Sequence, residues 1–499
     1  MARVTAVIDI GSNSARMAIF ERSSRFGFHL LREVKSRVRI SENAYKNGGY
    51  LQIEAMNRAI GAIRDFVTIA KSYGARKLLV VATSAVRDAP NKSQFLSRAK
   101  SEAGLQIRVI SGRQEAYFGG VAAANLIALG SDREAITIDI GGGSTELALI
   151  KSGRVVGGVS FNLGTVRLKE LFFDRDGGKD AAAKAAKFAR EAIAALPAEF
   201  RSATLIGVGG TMRALASALI KDENYPLEVL HGYEFSLDDR RKFIDRVIAA
   251  DAAGLKSLGF KSDRLDVIRE GTLIFRIASE AIGAKRAIVS GVGVREGVFL
   301  SDLLRSEKGK LPSDIQPSLI SVVERFGDKR RQIAFVSRLA GEIFDLIAPR
   351  SGIGAEYKRL LLVAAKLLGA GAAIEAYYPA AQEGFLAQNA LAYGFTHGER
   401  LLISTLLRSH SKKDLTALMA TEEKGWKEPF YDRLLPNVAT ARVLAGILYL
   451  AQTLNTARSL TKPVLELRGD TLLISNLSYL ARETLSRYTP PIGAAITII

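Results

Sequence analysis

The chain has 499 residues, of which 48% are hydrophobic, and it carries no cysteine, so disulfides and thiolate-bound metals are excluded. Its formal net charge of +19 is typical of proteins that bind a polyanion. We find no uncharged apolar run as long as a membrane span and no recognised nucleic-acid motif. These features predict a soluble, cytoplasmic protein of two to four domains, and they argue against a membrane or nucleic-acid partner.

The chain opens with a strand, a tight turn and a second strand. An apolar run over residues 4–8 leads into Asp9-Ile10-Gly11-Ser12-Asn13-Ser14, and another apolar run covers residues 15–20. Glycine lets a backbone approach an anion closely, and consecutive N–H groups of a turn can bind that anion. This pattern predicts a phosphate-binding hairpin, with an aspartate before the turn that can hold a cation or a water.

A near-copy of this turn lies about 130 residues further along the chain. It reads Asp139-Ile140-Gly141-Gly142-Gly143-Ser144-Thr145-Glu146 and follows the apolar residues 135–138. Two such hairpins predict a duplicated fold that clamps phosphate between its halves. For either turn taken alone, a simple hairpin without a ligand is the alternative.

Helical and strand patterns alternate after the first turn. Helical periodicity covers residues 56–73 and 94–103, with an apolar strand over 77–82. The pattern becomes helical from about residue 304 and returns to strand-like alternation in the tail, at 464–467 and 471–474. We therefore predict four parts, which are residues 1–128, 129–303, 304–455 and 456–499.

Seven segments, in this order and spacing, resemble the exopolyphosphatase and guanosine-pentaphosphate phosphohydrolase family of the actin-like ATPase superfamily. They are the two turns, Ala82-Thr83-Ser84-Ala85-Val86-Arg87, Ile110-Ser111-Gly112-Arg113-Gln114-Glu115-Ala116, Leu163-Gly164-Thr165-Val166-Arg167-Leu168, Gly207-Val208-Gly209-Gly210-Thr211 and Arg295-Glu296-Gly297. The resemblance implies an α/β fold with duplicated actin-like (ribonuclease H-like) domains over residues 1–128 and 129–303. A mostly helical HD-like domain and a small α+β tail would follow.

The resemblance also implies roles for individual residues. Glu115 matches the catalytic glutamate that activates water, and Asp139 and Glu146 match acidic residues that hold Mg²⁺ (or Mn²⁺) and water. The expected phosphate-binding residues are Gly11, Ser12, Asn13, Ser14, Arg87, Gly141, Gly142, Gly143, Ser144, Thr145, Gly209, Gly210 and Thr211.

Several of these residues have simpler interpretations. Glu115 can be a charge favoured at a helix N-terminus, and Arg87 can pair with Asp88. Arg264 and Arg269 lie in a stretch that also resembles the family, but a solvated helix face is the interpretation that we favour for both.

The chain departs from the family in two places. Gln114-Glu115 stands where relatives often have two glutamates, and the missing charge is a candidate for tuning substrate preference. In the helical domain the HD metal ligands of relatives fall at Leu368-Gly369 and near Ala380 and Gln382. The sequence has four histidines in all, so we interpret this domain as a scaffold without a metal centre.

We therefore predict an exopolyphosphatase that releases orthophosphate from the ends of inorganic polyphosphate by metal-assisted attack of water. Hydrolysis of the 5′ γ-phosphate of pppGpp is the alternative within the family. A non-catalytic phosphate or alarmone sensor and an actin-like sugar kinase are the alternatives outside it. The resemblance also suggests a homodimer.

Overall fold

The computed structural model describes residues 3–130, 134–174, 180–327, 330–409, 413–415, 418, 430–459 and 462–499. The chain forms two compact units, of which the first comprises Met1–Arg22 and Phe28–Ile315 and the second Ser23–Gly27 and Gln316–Ile499. The finer division into four parts stays a prediction. Among the residues described, no helix combines the length and the hydropathy needed to cross a membrane.

The first unit contains two sheets. The first sheet has the order β3-β2-β1-β4-β5, in which β1 runs antiparallel to β2 and parallel to β4. Its strands are β1 (Val4–Ile10), β2 (Ala15–Arg22), β3 (Phe28–Ser36), β4 (Lys77–Ala82) and β5 (Arg108–Val109).

The second sheet has the order β10-β11-β9-β6-β7-β8. Its strands are β6 (Glu134–Ile140), β7 (Thr145–Lys151), β8 (Arg154–Phe161), β9 (Thr204–Val208), β10 (Glu234–Ser236) and β11 (Arg286–Val289). Strand β6 is antiparallel to β7 and parallel to β9, so β6 takes the place of β1, and β10 is an added edge strand. The two sheets therefore repeat one topology, which agrees with the duplicated actin-like fold that the sequence predicted.

Helices cover the sheets because strands of a mixed α/β unit bury both faces. They are α1 (Ile53–Ser72), α2 (Ser84–Asp88), α3 (Lys92–Ala103), α4 (Gly112–Leu126), α5 (Thr165–Leu168), α6 (Ala181–Ile193), α7 (Gly209–Asp222), α8 (Arg241–Ala249), α9 (Ala252–Ser257), α10 (Ile268–Ile282) and α11 (Val294–Leu303), with a 3₁₀ turn at Tyr45–Asn47 and a π turn at Lys169–Phe173.

Glycine explains one of the family-like segments. A Cβ on Gly297 of α11 would lie 1.8 Å from the carbonyl oxygen of Phe118 in α4, a separation that no side chain can tolerate. Close packing of these two helices therefore requires glycine in Arg295-Glu296-Gly297, and this packing fixes α4, which carries Glu115.

The second unit is mostly helical. Its elements are α12 (Pro317–Phe326), α13 (Arg330–Ser351), α14 (Glu356–Leu367), α15 (Pro379–Asn389), α16 (His397–Arg408), α17 (Tyr431–Leu434), α18 (Val438–Leu454), β12 (Val464–Arg468), β13 (Thr471–Ser475), α19 (Tyr479–Arg487) and β14 (Ala495–Ile498), with a 3₁₀ turn at Ala370–Ala373. Leu472 and Ile474 of the three-stranded sheet belong to the same hydrophobic core as the helices.

The positions that replace the HD ligands have structural roles in the second unit. Leu368 is buried after α14, and Gly369 adopts a left-handed conformation with φ of 83°. The backbone N–H of Gly369 donates to the carboxylate of Glu383 at 2.7 Å. The HD-like assignment itself stays a prediction.

Candidate active site

The two glycine-containing turns have the same hydrogen bonding. The backbone N–H of Gly11 donates to the carbonyl of Ser14 at 3.2 Å, and that of Gly141 donates to the carbonyl of Ser144 at 2.9 Å. The turns also touch, because a Cβ on Gly142 would lie 2.9 Å from the Cβ of Ser12. The fold thus brings two turns that are far apart in the sequence into direct contact.

Both turns line one cavity of about 140 Å³ in the first unit. The predicted residues that line it are Gly11, Ser12, Asn13, Ser14, Glu115, Asp139, Gly141, Gly142, Ser144, Gly209, Gly210 and Thr211. Gly209, Gly210 and Thr211 form the first turn of α7, whose backbone N–H groups favour anions. Most of the predicted site is therefore assembled at a single place.

Four predicted residues do not line the cavity. Gly143 and Thr145 act in the turn itself, since the Gly143 carbonyl accepts from Arg167 and the Thr145 hydroxyl donates to the Leu163 carbonyl. Glu146 accepts a hydrogen bond from the Ser160 hydroxyl at 2.7 Å. The fourth is Arg87, which donates to the Ile110 carbonyl and to two carboxylates.

Glu115 lies in the first turn of α4, as the simpler interpretation supposed, but its carboxylate is buried and faces the cavity. Arg87 donates to Glu115 Oε2 at 2.9 Å and to Asp88 at 3.3 Å. Burial raises the pKa of Glu115 well above its ordinary value, Glu146 adds to this rise, and Arg87 opposes it. Arg87 therefore orients Glu115, the predicted base, and favours the ionised form of its carboxylate.

Gln114 has a different role from its neighbour. Ser111 precedes α4, and its hydroxyl accepts from the Gln114 backbone N–H, while the Gln114 side chain accepts from the Ser111 backbone N–H at 3.0 Å. This is a reciprocal capping box on the exposed end of the helix. Gln114, which stands in place of the first of the two glutamates that relatives often have, thus directs its side chain to the backbone and not to the cavity.

Three carboxylates surround the two turns. Burial raises the pKa of Asp9 to about 6, raises that of Glu146 to about 7, and raises that of Asp139 as well. Asp9 Oδ1 is buried and has no hydrogen-bond partner among the described residues. A buried carboxylate oxygen without a donor is costly, and a cation would remove that cost.

These carboxylates fit a hard divalent cation. Within the described parts of the chain, no three histidine, aspartate or glutamate side chains are arranged to hold a metal by themselves. Mg²⁺ commonly takes one or two carboxylates and completes its shell with waters and substrate phosphates. One or two of the carboxylates of Asp9, Asp139 and Glu146 therefore suit such an ion better than a metal that requires an all-protein cage.

Four arginines complete the wall of the cavity: Arg16, Arg213, Arg264 and Arg295. Burial, together with the nearby Arg213 and Arg295, lowers the pKa of Arg16 to about 10. Glu33 accepts hydrogen bonds from Arg295 at 2.8 Å and from Arg16 at 3.4 Å. Because crowded cations repel one another, this wall attracts a multiply charged anion.

The solvated helix face that we favoured for Arg264 was wrong. Arg264 lies in a turn before α10 and lines the cavity, and a Cβ on Gly210 would meet its guanidinium at 2.7 Å. Arg269 lies on α10, half-exposed, with its guanidinium over the ring of Phe173. The two arginines, five positions apart, therefore have different surroundings.

The sequence pointed to Asp9 only as an aspartate before the first turn, and it did not predict that Arg16, Ser84, Arg213 and Arg295 line the cavity. The available signal was a charge within an apolar element. Arg16 interrupts the buried strand β2, and Arg213 follows Thr211 in the apolar helix α7.

The raised carboxylate pKa values make a prediction about stability. A carboxyl whose pKa is higher in the folded state than in the unfolded state destabilises the fold as pH rises through that interval. For Glu146 the interval runs from 4.5 to about 7. In metal-free buffer at pH 8, we expect Glu146→Gln to raise the free energy of unfolding by on the order of 2 to 3 kcal/mol.

Urea unfolding at pH 4 and pH 8 with a chelator measures this effect. The gain should disappear at pH 4, where both forms of the protein carry a neutral side chain. Glu134→Gln, at an exposed position of the neighbouring strand β6, is the control for the substitution itself. Equal stability of Glu146→Gln and the native protein at pH 8 would contradict the electrostatic account.

Comparison with known proteins identifies the family of the chain. The model of the Ppx/GppA phosphatase family matches residues 18–306, more than half of the chain. A crystal structure of the Aquifex aeolicus member of that family is 27% identical, with 61% of this chain and 99% of that chain covered and a TM-score of 0.52. An exopolyphosphatase from Cytophaga hutchinsonii is 25% identical, with coverage of 60% and 97% and a TM-score of 0.56. The chain belongs to the Ppx/GppA phosphatase family.

Proposed function

We propose that the cavity of the first unit hydrolyses the terminal phosphoanhydride bond of inorganic polyphosphate and releases orthophosphate. The observation that carries this proposal is Glu115, a buried carboxylate with a raised pKa that lines the same cavity as both turns. A base beside two anion-binding turns suits attack of water on a phosphoryl group. The net charge of +19 suits a polyanionic substrate.

Glu115 takes a proton from the attacking water. A general base works best when its pKa is near the working pH, and burial moves the pKa of this carboxyl upward in that direction. The hydrogen bond from Arg87 fixes which oxygen of Glu115 faces the cavity. Arg87 is thus a positioning residue in this proposal.

The backbone and the arginines hold the phosphoryl group. The N–H groups of Gly11 and Gly141 close the turns, so those of residues 12–14 and 142–144 and the first turn of α7 are the ones that donate to its oxygens. Arg16, Arg213, Arg264 and Arg295 stabilise the negative charge that spreads over these oxygens as the bond breaks.

One or two of the carboxylates of Asp9, Asp139 and Glu146 would hold Mg²⁺ or Mn²⁺, with water and substrate phosphates as the other ligands. Asp9 Oδ1, which lacks a hydrogen-bond partner among the described residues, and the raised pKa values of the other two carboxyls support this assignment. When bound, the ion neutralises charge on the phosphates.

Hydrolysis of the 5′ γ-phosphate of pppGpp is the second candidate, because the family includes both activities and the bond that breaks is of the same type.

Glu115→Gln should lower orthophosphate release about 1,000-fold from whichever substrate the protein prefers, because the amide cannot accept the proton of water. Release is measured with long-chain polyphosphate and with pppGpp, in the presence of Mg²⁺.

Gln114→Glu is the matched control, since it keeps the capping box and restores the glutamate that relatives have. We expect its rate to stay within about twofold of the native rate. A Glu115→Gln variant with native activity would reject the assigned base. If the native protein releases orthophosphate from neither substrate, hydrolysis is rejected, and a phosphate sensor and a sugar kinase are the alternatives that remain.

The arginine wall gives a separate prediction. Arg264→Gln should raise the KM for polyphosphate between about 10-fold and 100-fold, because a charge-assisted hydrogen bond to phosphate is lost. Arg269→Gln, on the neighbouring α10, should leave KM close to native. Steady-state kinetics of both variants at one salt concentration tests this prediction, and equal KM values for the two would contradict it.

A further inference from the structure

Three hydroxyl groups converge behind the second turn. A Cβ built on Gly143 would lie 2.2 Å from the Tyr45 hydroxyl, 2.7 Å from Ser84 Oγ and 2.9 Å from Ser12 Oγ. Ser12 and Ser84 are both buried, and their hydroxyls are hydrogen-bonded at 2.9 Å. These hydroxyls come from three separate segments of the chain, so the fold and not the local sequence brings them together.

The three groups differ in their access to the cavity. Ser12 and Ser84 line it, whereas the hydroxyl of Tyr45 lies behind them and is buried. Among the described residues this hydroxyl has no hydrogen-bond partner of good geometry, although it lies beside Ser12. A buried hydroxyl in this position needs an acceptor, and the two serine hydroxyls lie with it around the same point beside Gly143.

Tyr45 is held firmly at this place. The guanidinium of Arg167 lies 4.5 Å from the centre of its ring and also donates to the Gly143 carbonyl at 2.9 Å. The preceding segment is tied to the first turn, since the backbone N–H and the hydroxyl of Ser41 both donate to the Ser12 carbonyl. Tyr45 therefore cannot move away from the serines without breaking these contacts.

We propose that Ser84 is a further phosphate-contacting residue and that Tyr45 is a positioning residue which acts through Ser12. Tyr45 donates to Ser12 Oγ, Ser12 donates to Ser84 Oγ, and Ser84 donates into the cavity, to a phosphoryl oxygen of the substrate. Each hydroxyl has one proton, so donation by Tyr45, at the end away from the cavity, sets the direction of both following hydrogen bonds. Without it the Ser12–Ser84 bond can reverse, and Ser84 then has no proton for the substrate.

This inference rests on the proposed hydrolysis and deepens it. Chains of hydrogen bonds strengthen one another, and the phosphoryl oxygens gain charge as the bond breaks, so the effect belongs mainly to kcat. We expect Tyr45→Phe, which keeps the ring under Arg167, to lower kcat about tenfold while KM changes less than about twofold. Ser84→Ala should lower kcat by at least as much.

The double variant, Tyr45→Phe with Ser84→Ala, distinguishes hydroxyls that act as one hydrogen-bonded series from two residues that act independently. If Tyr45 acts through the serines, adding Tyr45→Phe to Ser84→Ala costs no further activity. Tyr50→Phe, at a half-exposed tyrosine close by in the sequence, is the control and should behave as native protein. Thermal unfolding of each variant shows whether lost activity reflects lost folded protein.

Orthophosphate release from polyphosphate with Mg²⁺ measures all four variants against the native protein. A native rate for Tyr45→Phe, a loss in the double variant equal to the product of the single losses, or a loss matched by unfolding would overturn the proposal. If the native protein itself releases no orthophosphate, the proposed function fails. If the native protein turns over polyphosphate and the losses of the two single variants combine independently in the double variant, the series of hydroxyl hydrogen bonds is rejected while the proposed hydrolysis stands.

Discussion

Burial of opposite charges around one small cavity is the constraint on which the first unit depends. Burying the carboxylates of Asp9 and Asp139 costs free energy of folding, and so does burying the guanidinium groups of Arg16 and Arg213 close to one another. Their pairing is incomplete, because Asp9 keeps an oxygen without a donor in the part of the chain that is described. A fold retains such groups when a ligand completes the pairing, and the two sheets supply the hydrophobic core that offsets the cost.

The two hairpins have the same backbone pairing but carry opposite charges at one equivalent position, Arg16 in the first and Glu146 in the second. In the first hairpin Asp9 lies opposite Arg16 across the strands, and in the second hairpin Asp139 lies opposite Glu146. The same backbone position therefore carries a cation in one half and a carboxylate in the other. With the turns in contact, one half contributes the cationic Arg16 to the wall of the cavity, and the other places the acidic Glu146 close enough to raise the pKa of Glu115.

The sequence predicted the features that are local. Strand β4 coincides with the predicted apolar run at 77–82, and both turns and Glu115 face the cavity as expected. It did not predict contacts that need the tertiary fold. Arg264 reaches Gly210 across 54 positions of sequence, and no periodicity records that distance. Glu146 follows from the motif, but its turn towards Ser160 depends on the pairing of β7 with β8.

The most direct test of the central claim follows the oxygen of water. Polyphosphate is hydrolysed by the native protein with Mg²⁺ in ¹⁸O-labelled water, and the products are analysed by mass spectrometry. Attack of water on the terminal phosphorus in the cavity predicts one labelled oxygen in each orthophosphate released and none in the shortened chain. Unlabelled orthophosphate, or label carried by the shortened chain, would contradict this account.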